Sequence, residues 1–447
     1  MACTCAPGER GHGGAGCHHT AGRHQLETPG GLVTKRSFLG RRSRSRIAVT
    51  VLGACAVLLA GSAAGGASAA DRVRVTRHTT LAPGVTYEEF SVQETGGTAH
   101  GYVLVADLTN RHVSADLLTP GTVARPGTVS DLADSQGAVG GVNADFFDNS
   151  ETQHPGVEPT SAAVGPAVGR GITYKAAVPD GQRFGPAMPP GDSTRDVIGV
   201  GADRVARLDR LTLSGAVSAA GRTIALRGLN QYALPVGGVG AYTSLWGSAS
   251  RERAVCGTDT DRAAGCTTET YEVTVRQGKV VSVSDSPGSG TIARGTVVLV
   301  GREGGATALR ALRVGERVTV SDRLTGSGGS PLRFAVGGFP LLRGGAPLSG
   351  LDDTTTAIRT SAGFATGGHR FYLMALDGGS GHGVGLTVAE LASLMRDLGA
   401  SSAVDLDGGG SSTLVARQPH AAEVTVVNHP SDGAERPVPE GIGIFSR

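Results

Sequence analysis

The sequence predicts an α+β protein, with a mixed β-sheet core, flanking helices and an inserted β-rich subdomain. One observation is the apolar run from Phe371 to Leu376, which ends in Asp377 and two glycines, as a strand does when it enters a loop. A second is a helical pattern from Leu386 to Leu398. A third is a series of Val- and Thr-rich runs between residues 192 and 323, separated by Gly and Asp turns.

The helical pattern has clear start and stop signals. Thr387 and Glu390 have the spacing of a capping box, and Gly399 stands where a helix C-terminus favours a left-handed residue. The apolar face, which we expect to pack into the core, consists of Leu391, Leu394, Met395 and Leu398. A strand, this helix and a second strand predict two parallel strands joined by a right-handed crossover.

The second of these strands ends in the most polar segment of the chain, residues 402–413. Two carboxylates, Asp405 and Asp407, are followed by three glycines and three hydroxyl residues. Glycines allow backbone amides to approach a ligand closely, which favours a phosphate or sugar site. The alternative is a plain glycine turn with Asp as a turn former. If the two strands are parallel, Asp377 and Asp407 leave the same edge of the sheet, where open sheets bind ligands.

A third segment repeats this arrangement. A short helix is predicted around Leu132, and a strand from Ala138 to Val142. Asn143 and Asp145 follow that strand directly. Three strand ends that carry carboxylates indicate a site more strongly than one does.

Several segments resemble, in order, the motifs of the phosphodiester glycosidase family. The motifs are G-x-N-x-x-F at 141–146, G-G-x-P-x-L at 337–342, R-T-x-x-G at 359–363, DGGGS at 407–411 and N-x-P-S-D-G-x-E-R-P-V at 428–438. Together they cover roughly residues 130–170 and 330–447. The family usually has Asn in place of Asp405 and often Gly in place of Asp145, so this chain carries added negative charge.

The resemblance implies a hydrolase that cleaves the C1–O bond of a sugar 1-phosphodiester. Asp407 and Asp145 are the carboxylates expected to act at C1, with Asp377 as the alternate. The residues expected to bind substrate or phosphate are Asn143, Arg359, Thr360, Gly408, Gly409, Gly410, Ser411, Ser412 and Arg436. Guanidinium groups hold phosphate oxygens in bidentate fashion, although a structural ion pair is the alternative for each arginine. Asp405 could instead face the core and pair with a cation.

The expected substrate is a carbohydrate or sugar phosphate, such as an N-acetylglucosamine 1-phosphodiester, in envelope or extracellular glycans. No cofactor is required by the motifs, although the aspartates and hydroxyls could hold a divalent cation; no ligand spacing is diagnostic. Two alternatives stay open, because a fold does not determine its substrate. One is a glycosidase acting on a phosphate-free cell-wall polysaccharide, and the other is a non-catalytic glycan-binding surface protein.

The N-terminal part of the chain predicts export. Residues 33–70 combine a twin-arginine-like motif at 34–40, a short apolar stretch at 47–59 and a small-residue cleavage site at 67–69, as in a signal peptide. A retained membrane anchor is the alternative. Residues 1–32 are expected to be a mis-called start or disordered, and their Cys and His residues could alternatively bind zinc.

The composition of the remaining chain limits its partners. Residues 1–70 hold eight of the 41 Lys and Arg residues and two of the 39 Asp and Glu residues, which leaves 33 basic and 37 acidic residues and a net charge of −4. This balance argues against nucleic acid as a partner, and we expect membrane contact only during export. Cys256 and Cys266 predict a disulfide in an oxidising compartment, with a reactive thiol as the alternative.

We expect residues 71–191 and 324–447 to form the catalytic domain and residues 192–323 the β-rich insertion. The chain of 447 residues is long enough for two hydrophobic cores.

Overall fold

A computed structural model describes residues 72–379 and 381–447. The expected signal peptide and the segment before it lie outside the described residues. In chain order the strands are β1 (Val73–Ala82), β2 (Val85–Glu94), β3 (Gly97–Asp107), β4 (Val113–Leu118), β5 (Gly140–Asn143), β6 (Ala167–Gly169), β7 (Ile172–Lys175), β8 (Asp196–Gly201), β9 (Ala206–Arg210), β10 (Thr212–Ala219), β11 (Arg222–Ala225), β12 (Gly228–Leu229), β13 (Val239–Tyr242), β14 (Thr270–Arg276), β15 (Lys279–Ser284), β16 (Thr296–Arg302), β17 (Thr319–Thr325), β18 (Leu332–Gly337), β19 (Phe339–Arg343), β20 (Ala346–Pro347), β21 (Thr360–Phe364), β22 (Arg370–Leu376), β23 (Ser402–Leu406), β24 (Leu414–Ala416), β25 (Thr425–Val426) and β26 (Gly441–Ser446).

Helices are few in the described residues. They are α1 (Val129–Gln136), α2 (Gly304–Leu309) and α3 (Val388–Asp397), with 3-10 turns at Asp180–Gln182, Glu252–Val255 and Gly409–Ser411. Strand accounts for 41% of these residues and helix for 9%, so the predicted α+β class with flanking helices is wrong and the protein is mostly β. One physical reason is composition: the chain has 71 glycines, each of which disfavours a helix interior by about 1 kcal/mol.

The largest sheet has eight strands in the order β1-β2-β3-β22-β21-β23-β19-β20. Every neighbouring pair in it is antiparallel, which corrects the expected mixed sheet. β22 and β23 do run in the same direction, but β21 lies between them and pairs with both. The predicted crossover is therefore wrong in pairing, although it is right in the relative direction of the two strands.

The predicted helix between these strands is confirmed as α3. Thr387 accepts a hydrogen bond from the Glu390 amide, and the Glu390 carboxylate accepts one from the Thr387 amide, which forms the expected capping box. Leu391, Leu394 and Met395 are buried against one face of the large sheet. Helix α3 thereby covers this face and holds the strand ends beside it in place.

A second sheet, in the order β25-β24-β5-β26-β4, packs against the opposite face of the large sheet. Val142 and Leu414 of the second sheet share one hydrophobic core with Leu104, Leu373 and Val404 of the first. Helix α1 covers the outer side of the second sheet. Through this packing the end of β5 reaches the edge of the large sheet where β23 ends.

Residues 192–323 are rich in strands, as predicted, and contribute to three further sheets. Their orders are β11-β10-β17, β12-β13-β16-β14-β15 and β7-β6-β18-β8-β9. The last of these pairs β8 with β18 across the expected boundary at residue 323, and the domain boundaries stay a prediction. Cys256 and Cys266 form the predicted disulfide.

Among the described residues, we find no helix that combines the length and the apolar character required to cross a membrane.

Candidate active site

Three strand ends of the large sheet lie side by side. Thr360, the first residue of β21, is opposite Ala375 of β22 on one side and Leu406 of β23 on the other. Asp377 and Asp407 follow β22 and β23 directly, so both leave the same edge, as predicted. Because neighbouring strands are spaced by about 4.8 Å, the axes of β22 and β23 are roughly 10 Å apart.

Asn143 joins the second sheet to this edge. Its buried side-chain Nδ2 donates to the Asp407 carbonyl oxygen at 2.6 Å. Its Oδ1 accepts hydrogen bonds from Thr360 Oγ1 and from the Thr413 amide, both at 3.0 Å. Thr360 Oγ1 also lies 3.0 Å from Ser412 Oγ. The side chains of Asn143, Thr360 and Ser412 are thus buried and bonded to one another, and they position the loop after β23, while their expected contact with substrate stays a prediction.

The glycines after Asp407 are required by close packing at Gly408 and Gly410 and by the backbone conformation at Gly409. A side chain at Gly408 would place its Cβ 2.4 Å from the Ile358 carbonyl oxygen, and Gly409 has a φ of +58°. The Gly409 amide donates to Ile358 O at 2.8 Å, and the Ser411 amide donates to Gly408 O at 3.2 Å. The loop therefore uses the amides of Gly409 and Ser411 for its own structure, although the sequence pointed to them as ligand donors.

Arg436 lies directly on this loop. A Cβ at Gly410 would be 2.1 Å from Arg436 Nη2 and 2.1 Å from Asp432 Oδ2, so only glycine permits this contact. The Arg436 Nε and Nη2 groups donate to Asp432 Oδ2 at 3.1 and 2.6 Å. Its Nη1 makes only a long hydrogen bond of 3.3 Å, to Ser411 Oγ. The side chain is 34% exposed, which leaves Nη1 accessible at the surface of the loop.

Asp407 is half-buried, and its surroundings favour the neutral carboxyl group. Its pKa is raised to about 7, chiefly by burial and also by the nearby Asp145 and Asp405 carboxylates. A hydrogen bond with the Ser411 side chain and the positive charge of Arg436 act in the opposite direction. A carboxyl group with this pKa exchanges protons near neutral pH, as a general base or acid does.

Asp145 lies deeper than Asp407. Its Oδ1 accepts a hydrogen bond from the Phe146 amide at 2.8 Å and its Oδ2 accepts one from the Gly165 amide at 2.5 Å. A Cβ at Gly337 would come within 2.1 Å of Oδ2, so glycine surfaces surround the carboxylate. Burial raises its pKa to about 6, although the two amides and Lys175 lower it. Asp145 is held by the protein on all these sides and acts on Asp407 through its charge.

Two further charged residues, Lys175 and Glu440, lie near Asp145 and form a buried charged group with it. The sequence did not reveal either of them. Lys175 is buried, and its Nζ donates to Val164 O at 3.2 Å, to Ala176 O at 2.8 Å and to Gly165 O. Burial lowers the pKa of Lys175 to about 8 and raises the pKa of Glu440 to about 8. Lys175 is one of only three lysines in a chain that otherwise uses arginine, which is the one signal the sequence offered. Unlike Arg, a buried Lys readily changes its pKa.

The backbone of Arg359 adjoins the glycine loop, but its guanidinium bonds to other parts of the protein. Its Nε donates to Leu386 O at 3.0 Å, its Nη2 donates to Thr355 O at 3.1 Å, and its Nη1 lies 3.5 Å from Asp405 Oδ2. Both side chains of this pair are buried, and burial raises the pKa of Asp405 to about 7 while Arg359 lowers it. These contacts correspond to the alternative of a structural ion pair, and the expected phosphate contact of Arg359 stays a prediction.

Asp377 is also committed to neighbours. Its Oδ1 accepts hydrogen bonds from the His429 amide at 2.8 Å and lies 3.0 Å from His429 Nδ1, while its Oδ2 accepts one from Tyr102 at 3.1 Å. Asn428, which precedes His429, donates to Leu376 O and to Ser412 O. Asp377 therefore belongs to an adjacent cluster with His429 and Tyr102, and the buried side chain of Asn428 connects this cluster to the glycine loop.

Comparisons with known proteins agree with these motifs. Residues 269–445 match the family model described as "Phosphodiester glycosidase". No curated protein matches the chain significantly.

Two solved structures share the fold. A hypothetical protein from Synechocystis has a TM-score of 0.64 at 19% identity, and the match covers 83% of this chain and 64% of that protein. This chain thus spans less than two thirds of that protein's length. A protein of Burkholderia pseudomallei K96243 described as exported also has a TM-score of 0.64, at 22% identity, and the match covers 83% of this chain and 96% of that one.

A third structure is the zebrafish N-acetylglucosamine-1-phosphodiester alpha-N-acetylglucosaminidase catalytic domain, auto-inhibited by its pro-peptide. It matches with a TM-score of 0.40 and 13% identity over 84% of this chain and 88% of that one, and we draw nothing from a score this low. The resemblance of this chain to the phosphodiester glycosidase family is confirmed by the family model, which matches residues 269–445.

Proposed function

We propose that this protein is a secreted hydrolase that cleaves the sugar C1–O bond of a sugar 1-phosphodiester in envelope or extracellular glycans. The observation that carries the proposal is the position of Asp407. It is a half-buried carboxyl with a pKa of about 7, next to the partly exposed guanidinium of Arg436 on a glycine loop. The family match over residues 269–445 supports the reaction class.

Arg436 is the phosphate ligand in this proposal. Its Nη1 is accessible, whereas Nε and Nη2 are held by Asp432, which fixes the plane of the guanidinium. The backbone of Gly410 lies beside it and adds an amide donor, whereas the Ser411 hydroxyl is hydrogen-bonded to Asp407. A preorganised cation and donors of this kind stabilise the charge that develops on the departing phosphate.

Asp407 acts at the sugar. Because phosphate is a stable leaving group, the C1–O bond breaks with little proton donation, and the main requirement is a carboxylate at C1. Asp407 either removes the proton from the attacking water or attacks C1 itself, and the anomeric configuration of the first product distinguishes the two. In both cases water supplies the new hydroxyl at C1, and the phosphate monoester leaves with the original oxygen.

The other predicted residues have supporting roles. Asn143, Thr360 and Ser412 hold the loop from below, and Asp145 raises the pKa of Asp407 through its charge. Asp377 holds the adjacent strand end. No step of the proposed reaction requires a cofactor, and a divalent cation enters only as an additional phosphate ligand.

Secretion is supported by the disulfide between Cys256 and Cys266, because such bonds persist in oxidising compartments. The signal-like pattern of residues 33–70 supports the same location.

The test is the release of free sugar from an N-acetylglucosamine 1-phosphodiester by the purified full-length protein. We expect Asp407→Asn to lower kcat by about 10²–10⁴-fold, the range of general acid–base catalysis. Asp285→Asn is the matched control, because its side chain is 81% exposed, and it should retain parent activity.

Equal turnover by the parent and Asp407→Asn would refute the role of Asp407. Faster release from phosphate-free glycosides would favour a cell-wall glycosidase instead. Binding of glycans without any product would favour a non-catalytic surface protein.

A further inference from the structure

A second group of reactive side chains lies at the same sheet edge, beside the glycine loop. The His–Asp cluster consists of Asp377, His382 and His429, and one ligand atom from each lies within 4.8 Å of the other two. We propose that this cluster binds a divalent transition-metal ion of the zinc class.

The donor set selects this class of metal. Calcium and magnesium prefer oxygen ligands, whereas two imidazole nitrogens with one carboxylate oxygen suit zinc and neighbouring transition metals. Three protein ligands with an open fourth position are the pattern of zinc sites that bind water or substrate. The two histidines thus distinguish this cluster from an ordinary group of surface acids.

The distances are close to those of a coordinated ion. Zinc bonds of about 2.1 Å in a tetrahedron place two ligand atoms about 3.4 Å apart. His429 Nδ1 and Asp377 Oδ1 are 3.0 Å apart, so an ion could replace the shared proton after a small expansion. His382 must move inward by no more than about 1.5 Å, given the 4.8 Å limit, and its ring must rotate out of the stack with His429 so that both nitrogen lone pairs point at the ion.

The backbone is built to bring the two imidazoles together. Their rings stack with centroids 3.7 Å apart and an interplanar angle of 16°. A Cβ at Gly379 would lie 2.9 Å from His382 Cδ2 and 3.1 Å from His429 Cβ, so a larger residue would separate the rings. Gly381 and Gly383 have φ values of +82° and +128°, which only glycine adopts readily.

Support around the cluster matches that of known metal sites. Tyr102 donates to Asp377 Oδ2, the oxygen that does not face His429, and thereby orients the carboxylate. Such outer partners commonly orient metal ligands. A cavity of about 280 Å³, lined by the three residues of the cluster together with Tyr102 and His100, adjoins it. The cavity offers space for water or a phosphate oxygen at the open position.

The cluster is coupled to the loop of Asp407 through Asn428, whose side chain donates to both Leu376 O and Ser412 O. A metal ion held here would add a second cationic contact for the substrate phosphate. That last step rests on the proposed function, whereas metal binding itself does not.

The experiment measures zinc binding to the chelator-treated full-length protein by competition with a chromophoric chelator. We expect His382→Asn and His429→Asn each to weaken the site at least 100-fold, and the double variant to bind one equivalent less than the parent. Tyr102→Phe should weaken it about 10–100-fold, as outer partners do. The Cys and His residues of positions 1–32 are the same in all variants, so the difference reports this cluster alone.

His420→Asn is the matched control, because it removes an exposed imidazole elsewhere at a left-handed position that Asn tolerates. Replacement with cobalt(II) gives a second readout, and its visible absorption should disappear in the double variant. Thermal unfolding checks that the variants fold, which we expect since both imidazoles are exposed.

The proposal is overturned if the double variant binds zinc with the stoichiometry and affinity of the parent. Zinc binding without phosphodiester cleavage would refute the proposed function alone. Cleavage that is unaffected by chelation, combined with no zinc binding at this cluster, would refute the metal site alone.

Discussion

Replacement of Lys175 by Met tests the buried charge group beneath Asp407. Met has a similar length but no charge, so the change removes the cation that faces Asp145 and Glu440. It also leaves the carbonyl groups of Val164 and Ala176, which now accept from Nζ, without that donor. We expect the free energy of unfolding to fall, and the loss to depend on pH.

The magnitude follows from the two carboxyl groups. The pKa of Glu440 is raised to about 8 and that of Asp145 to about 6, so at about pH 5.5 both groups are largely protonated in the folded protein. At that pH Lys175→Met costs mainly the Nζ hydrogen bonds to the Gly165 and Ala176 carbonyls, about 1–3 kcal/mol, since the Val164 carbonyl keeps the Val178 amide as a donor. At about pH 8 Asp145 is ionised, and loss of its buried partner costs about 3–5 kcal/mol. The expected difference of roughly 2 kcal/mol corresponds to about 1.5 pKa units.

The sign is set by the direction of the shifts. A carboxyl group whose folded pKa is raised stabilises the fold below its unfolded pKa, and this contribution is lost as pH rises through the folded pKa. Without Lys175 both carboxyl pKa values rise further, so the variant loses more stability on the alkaline side. Urea unfolding at both pH values measures this, with the fluorescence of Trp246, the single Trp and a buried one, as the probe.

The matched control is Lys279→Met, on an exposed strand position, where a change within about 0.5 kcal/mol is expected. An equal cost of Lys175→Met at both pH values, or a larger cost at the acidic one, would refute the electrostatic account of the buried group.

Three other predictions follow from the site. The value of kcat/KM should rise with pH through about 7, because Asp407 must be ionised to act at C1; a flat profile in stopped assays would contradict this. Gly410→Ala should displace Arg436 and raise KM about tenfold or more, which is equivalent to about 1.4 kcal/mol. At Gly409 an added Cβ meets no neighbour, so Gly409→Ala should leave KM unchanged and lower the free energy of unfolding by about 1–2 kcal/mol because of its positive φ. Cys256→Ser should reduce the free energy of unfolding by about 2–3 kcal/mol in urea titrations, and an unchanged midpoint would argue against the disulfide.

Local patterns in the sequence predicted local structure well. The capping box at Thr387, the short helix around Leu132 and the strand before Asp377 are all confirmed, because each depends on contacts within a few residues. The pairing of strands was less accessible. β21 is five residues long, and nothing in its sequence shows that it inserts between β22 and β23.

For the candidate site, too, the sequence revealed features that depend on local residues and missed those that depend on distant contacts. The glycine loop with Asp407 was evident from composition, since close backbone packing leaves glycines in the sequence. The role of Arg359 was not evident, because an arginine that binds phosphate and one that pairs with Asp405 have the same letter. Lys175 and Glu440 lie 265 positions apart and become partners only through the packing of the second sheet region around Asp145.

The sequence by itself thus determined the family resemblance, the helix caps, several of the strands and the glycine loop, because these depend on short-range spacing and on backbone conformation. Only the tertiary structure decided the mostly β class, the antiparallel order of the large sheet, the ion pair of Arg359 and the meeting of His382 with His429. Those features depend on contacts between distant residues and on burial, which is the largest cause of the raised pKa values of the carboxyl groups around Asp407.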